Sequence, residues 1–164
     1  MASNRAILKE KRPQIATQGH YGDLEVIRVD VTARTATFQA KNTNYEETVP
    51  VSTIRPLTEE DSGKFWEALV ADLMRVLRIE AHYPPFVKGY EVETGEDSTG
   101  DPSVYITIFV SPEQKYSQAT VSRWNSFSNI LLDRLLGLRL QRYPYVRVGE
   151  KRKRQINGLA RRSA

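Results

Sequence analysis

The clearest pattern in the chain is the alternation over residues 100–110, GDPSVYITIFV, where Val104, Ile106, Ile108 and Val110 take every second position. Strand side chains point alternately to opposite faces, so this stretch predicts a β-strand with one apolar face. Helical spacing precedes it. Phe65, Leu69, Leu73, Val76 and Leu77 recur through Arg78, and residues 81–85 (AHYPP) end the run. The start is predicted at Thr58, an N-cap with Asp61 three residues later, and the acidic residues of the first turn suit the positive end of the helix dipole. A second helix is predicted over residues 117–138, with Val121, Trp124, Phe127, Leu131, Leu135 and Leu138 on its apolar face. Residues 87–94 and 142–148 read as strands, the first joined to the central strand by a hairpin with a long acidic tip. The order helix, strand, strand, helix, strand predicts a three-stranded sheet with both helices on one face, an α+β two-layer sandwich.

The pattern before residue 58 is different. Short strands are predicted at residues 15–17, 24–31, 35–40 and 45–51, separated by the polar turns VTART and KNTN. Along the second of these, Ile27, Val29 and Val31 alternate with Arg28 and Asp30. Along the third, Ala36, Phe38 and Ala40 alternate with Thr37 and Gln39. So many short, half-buried strands in so few residues hide their edges best by curling into a small barrel. The first residues carry Arg5, Lys9, Lys11 and Arg12, with AILKEK compatible with a short helix or arm before Pro13. The domain reading is therefore a basic N-terminal arm at 1–13, a small β-barrel at 14–57, an α+β sandwich at 58–149 and a basic flexible tail at 150–164.

The run YGDLEVIRVD, TARTATFQAK, ETVPVSTIRPL resembles the small Tudor or KOW-type β-barrel, over about a quarter of the chain. That resemblance implies a module that binds nucleic acid, ribosomal surfaces or peptides. Tudor barrels that read methylated side chains use an aromatic cage, and only Tyr21, Phe38 and Tyr45 are candidates here for a barrel binding face. In the C-terminal half, GDPSVYITIFV with YPYVRV is similar to small uncharacterised bacterial α+β proteins with a G-D-P-A strand and a P-Y-V-R-F ending, a likeness that implies a recurring domain and no activity. A type II KH domain also has helices and three strands, but it requires a GxxG loop between consecutive helices, which this chain lacks.

Charge changes the picture once it is located. The isoelectric point is about 9.4, yet six basic residues lie after Glu150: Lys151, Arg152, Lys153, Arg154, Arg161 and Arg162. Residues 1–149 carry 18 basic against 19 acidic side chains, so the basic character belongs to the tail. The tail follows Tyr143, Tyr145 and Arg147 on the last strand, a mixture of aromatic and basic residues suited to stacking and phosphate contact. Tyr143, Tyr145, Arg147, Lys151, Arg152, Lys153, Arg154, Arg161 and Arg162 are the candidate nucleic-acid contacts. The alternative is a tail that solubilises or docks on an acidic protein surface.

Other chemistry has less to stand on. The absence of cysteine removes disulfides and zinc-thiolate sites. Glu91, Glu93, Glu96, Asp97 and Asp101 crowd the hairpin tip, where a hard cation would want converging oxygens, but the D-x-D-x-D-G spacing is missing. His82 would serve as a general base only if Asp97 or Asp101 met it; a helix-capping role is the plainer account. Trp66 and Trp124 on the helices are expected in the core. No apolar run approaches a membrane span and no secretory signal pattern opens the chain, which predicts a cytoplasmic protein with no membrane partner. The expectation is a non-enzymatic two-module binding protein in a nucleoprotein or multi-protein assembly, without metal or cofactor. Its rivals are a purely protein-binding adaptor or structural subunit, oligomeric or not, and a metal-dependent enzyme built on the acidic hairpin.

Overall fold

The computed structural model describes residues 6–7, 24–40, 44–56, 59–112 and 117–149. Elements in chain order are β1 (Ala6–Ile7), β2 (Leu24–Asp30), β3 (Thr35–Ala40), β4 (Glu46–Pro50), β5 (Arg55–Pro56), α1 (Glu59–Ile79), β6 (Val87–Glu96), β7 (Pro102–Val110), α2 (Gln118–Gly137) and β8 (Tyr143–Gly149). The described residues form a mixed α+β structure, with two α-helices and small separate sheets. No helix among the described residues is long and apolar enough to cross a membrane.

The C-terminal sheet has the order β6-β7-β8. β6 and β7 form the antiparallel hairpin, and β8 returns parallel to β7 after α2. A parallel neighbour cannot be reached by a tight turn, so a long crossover connection is required, and α2 supplies it. Val104, Ile106, Ile108 and Val110 all point into the core, where they meet Phe65, Leu69, Leu73 and Leu77 of α1 and Phe127, Leu131 and Leu135 of α2. Both helices therefore cover one face of the sheet, as the alternation requires.

α1 also packs on β2, and the buried residues of β2, β3 and β4 (Val29, Ala36, Phe38, Val49) belong to the same core cluster. A polar clamp reinforces this contact: the Val31 N–H donates to Asp72 Oδ2 at 2.8 Å, and Arg75 Nε holds Asp72 Oδ1 from the other side. Trp66 is buried in this core, and Trp124 packs half-buried with its ring tilted on Phe127.

Three local departures from the sequence pattern have physical causes. In β2 the register slips between Val26 and Arg28, a β-bulge. A bulge reverses the facing of the residues beyond it, so Val26 and Val29 pack inward while Ile27 is 42% exposed. Ala6–Ile7, part of the helix-compatible opening, instead forms a two-residue ladder with Arg55–Pro56; two residues pairing with another strand cannot also close helical turns. Phe38, placed on a barrel binding face by its sequence position, is 2% exposed because it belongs to the same buried core cluster as Val29, Val49 and the inner face of α1.

The helix ends are well specified. At α2, Ser117 accepts the Thr120 N–H on its hydroxyl at 3.1 Å, a side-chain N-cap. At the end of α1, the His82 N–H donates to Leu77 O at 2.9 Å and the Ala81 N–H to Arg78 O at 3.1 Å, with Ala81 at φ 63°. This is a Schellman motif carrying alanine in the position where glycine is usual. Thr58, the expected N-cap of α1, lies outside the described residues.

Candidate functional site

Only one face of the β6-β7-β8 sheet carries the helices. The opposite face is built by the residues between the core positions, and the register arranges them in rows. Glu93, Tyr105 and Tyr145 form one row; Glu91, Thr107 and Arg147 form the next; Gly95, Ser103 and Tyr143 lie on the other side of the first. Cross-strand neighbours on one face approach closely enough for side chains to interact. Tyr105 and Tyr145 stack with centroids 5.4 Å apart and planes 18° from parallel, and Tyr143 tilts against Tyr145 at 4.9 Å. Tyr143 and Tyr145 remain 46% and 38% exposed. Exposed aromatic rings held in a group are unusual for a surface that serves stability alone.

Hydrogen bonds hold these rings in place. The Tyr105 hydroxyl donates to Glu96 O at 2.9 Å, and the Tyr145 hydroxyl donates to Asp97 Oδ2 at 3.1 Å. Arg147 extends the group: its guanidinium lies 4.9 Å from the Tyr105 centroid, its Nε donates to Thr107 Oγ1 at 2.9 Å, and its terminal nitrogen is 3.6 Å from Glu93. The result is a platform of three tyrosines and one arginine, bordered by carboxylates along β6 and at the hairpin tip.

The acidic tip is organised as a turn. Asp97 Oδ1 accepts from the Thr99 hydroxyl at 2.6 Å, the Thr99 N–H at 2.9 Å and the Asp101 N–H at 3.0 Å. These bonds, the Thr99 hydroxyl first, hold the Asp97 carboxyl down at about 2, and the Tyr145 hydroxyl adds a smaller push in the same direction. The bond to ionised Asp97 raises the Tyr145 phenol above its ordinary value. Among the described residues no group of three or more His, Asp or Glu is disposed to hold a metal ion.

The other sequence-predicted residues fall in different places. His82 ends α1, 3.9 Å from Glu80, and the whole of β6 separates it from Asp97, about 30 Å of extended chain. The proposed base and its carboxylates are therefore not brought together. Tyr45 is 45% exposed and bonds Glu47 through its hydroxyl, whereas Phe38 is buried, so the two share no exposed face. Tyr21, Lys151, Arg152, Lys153, Arg154, Arg161 and Arg162 lie outside the described residues.

Two residues of this region were not singled out by the sequence reading. Tyr105 completes the ring stack, and the alternation already placed it opposite the apolar face. Arg142 is the other. It precedes β8 and reaches Ser62 and Glu59 on α1, Gly95 O on β6 and Ser103 O on β7. Comparison of the chain with protein-family models, curated proteins and solved structures finds no match.

Proposed function

We propose that the chain is a non-enzymatic, two-module binding protein of a cytoplasmic nucleoprotein assembly, contacting nucleic acid through the outer face of β8 and the basic segment that follows it. One observation carries this reading: Tyr143, Tyr145 and Arg147 form one exposed group, on the strand whose next residues are Glu150, Lys151, Arg152, Lys153 and Arg154. Aromatic rings supply stacking surface and the cations supply phosphate affinity, the two components nucleic-acid sites combine. In this reading the strands before α1 curl as a small barrel of the Tudor or KOW kind and serve protein contacts. The bulge between Val26 and Arg28 supports such curling, since bulges bend and twist the strand that bears them.

The test is binding of a labelled oligonucleotide by the full chain and by a variant with Lys151, Arg152, Lys153 and Arg154 all changed to Gln. The variant is expected to lose binding at physiological salt by at least about tenfold while its melting temperature stays within about 2 °C of the parent. Undiminished binding would count against the assignment. A second reading, a protein-binding adaptor, draws on β8 being the edge of its sheet, since an edge strand is a template for strand addition from a partner.

A further inference from the structure

We propose that the tyrosine face of the β6-β7-β8 sheet takes the unpaired bases of a single nucleic-acid strand, with Tyr143 and Tyr145 as the stacking surfaces. This inference rests on the nucleic-acid reading above and specifies its substrate: single-stranded rather than duplex.

Three features of the face argue for unpaired bases. Tyr143 and Tyr145 are partly exposed, and Tyr145 is already oriented, because its hydroxyl is anchored to Asp97 and its ring leans on Tyr105, whose own hydroxyl is held by Glu96 O. Anchored rings lose little freedom when a base stacks on them. Exposed π-faces serve any base, but only one that has left its own stack; in a duplex those faces are occupied by neighbouring pairs.

The charges on the face exclude the duplex for a second reason. Glu93 shares the row of Tyr105 and Tyr145, Glu91 lies in the row of Arg147, and Asp97 touches the Tyr145 hydroxyl. A duplex laid flat on this sheet would bring two dense lines of phosphate onto those carboxylates. A single strand has one line of phosphates and turns it away while its bases face the rings. The carboxylates occupy β6 and the hairpin tip, whereas Arg147 lies toward the end of β8, from which the sequence continues into Glu150 and the basic residues. The phosphates therefore run on the β8 side, and the bases reach inward over Tyr143 and Tyr145. Arg147 is already engaged by Thr107 and Tyr105, so it positions the platform as well as attracting the strand. No side chain of the platform presents a pattern that would select one base, and the preference expected is for unstructured strands over particular sequences.

The experiment compares the full-length protein with Tyr143→Ala, Tyr145→Ala and Tyr145→Phe, using a labelled oligothymidylate of about 15 nucleotides and a hairpin duplex of similar charge. Each alanine variant is expected to weaken binding of the oligothymidylate by roughly five- to a hundredfold. Tyr145→Phe, which keeps the ring, is expected to stay within about threefold of the parent, and duplex binding to be weaker at the outset and insensitive to all three changes. If the alanine variants bind the oligothymidylate as the parent does, the tyrosine platform is not the site, while nucleic-acid binding through the basic segment stands. If the parent binds neither probe, the nucleic-acid reading falls and this inference with it. Photocrosslinking of an iodouracil-substituted strand to the unmodified protein needs no folded variant: adducts are expected on Tyr143 or Tyr145, and adducts confined to residues after Gly149 would overturn the proposal.

Discussion

Arg142 donates through Nε to the buried hydroxyl of Ser62 at 3.0 Å, tying the segment that leads into β8 to the first turns of α1. The same guanidinium reaches Gly95 O at 2.8 Å, Ser103 O at 3.1 Å and the carboxylate of Glu59. A cation beside a helix N-terminus is opposed by the dipole, and Glu59 compensates for it. Four acceptors from three elements suit the fork of an arginine and exceed the three donors of a lysine. Arg142→Ala is expected to cost about 2–4 kcal/mol, because it leaves buried acceptors unpaired. Arg142→Lys is expected to recover less than half of that. Urea unfolding of the three proteins checks both, and equal stability of Arg142→Ala and the parent would show the bonds to be energetically idle.

Ala81 occupies the left-handed position of the Schellman motif at φ 63°. An L-residue there carries a cost of about 1 kcal/mol that glycine avoids. Ala81→Gly is therefore expected to stabilise the protein, by up to about 1 kcal/mol after the greater unfolded-state entropy of glycine is allowed for. A rise in melting temperature is the expected result, and a fall would mean that the Ala81 methyl makes contacts worth more than the strain.

Gly149 closes the other end of the platform. A Cβ built there would stand 2.6 Å from the Thr107 methyl and 3.2 Å from the Phe109 ring. Thr107 is held in place by the bond its hydroxyl accepts from Arg147, so the methyl cannot easily rotate away. Gly149→Ala is expected to destabilise by about 1–3 kcal/mol. Thr107→Ser keeps the hydroxyl and deletes the methyl, so in the double variant part of that loss is expected to return. Strict additivity of the two changes, measured by thermal unfolding, would contradict the clash.

The acid side of the stability profile carries the signature of Asp97. Its carboxyl is depressed from 3.8 to about 2 in the folded protein. A depressed carboxyl stabilises the folded state fully above its unfolded value, and that contribution disappears as pH falls through the folded one. The loss therefore lies between about pH 4 and pH 2. The Thr99 hydroxyl is the larger cause and Tyr145 the smaller. Thr99→Val is thus expected to raise the Asp97 value more than Tyr145→Phe does, as read by carboxyl NMR titration. The reverse order would mean that the link to the tyrosine platform dominates.

Much of this fold was legible because periodicity reports burial directly. Phe65, Leu69, Leu73 and Leu77 mark the inner face of α1, and Val104, Ile106, Ile108 and Val110 that of β7. The bulge at Val26 and Arg28 was not legible, because a slip in register leaves the composition of a strand unchanged. Ile27, read as an inward residue, is the one it turns out. Tyr143, Tyr145 and Arg147 were visible as a mixed aromatic and basic strand. Their association with Tyr105 and Asp97 was not, because it depends on β8 returning parallel to β7 and on which end of the hairpin it meets. Arg142 was hidden for the same reason: its partners lie 39 to 83 residues away in sequence.

The most direct test of the central claim is the salt dependence of oligonucleotide binding by the full chain and by the chain ended after Gly149. If four basic residues after Gly149 each neutralise a phosphate of a single strand, they are expected to contribute roughly −3 to the log–log slope of the full chain, at about −0.7 per phosphate, and the truncated chain to retain weak binding with a slope no steeper than about −0.7, the share of Arg147. Binding by neither form near physiological salt, or identical slopes for both, would contradict the nucleic-acid account and leave the adaptor reading in its place.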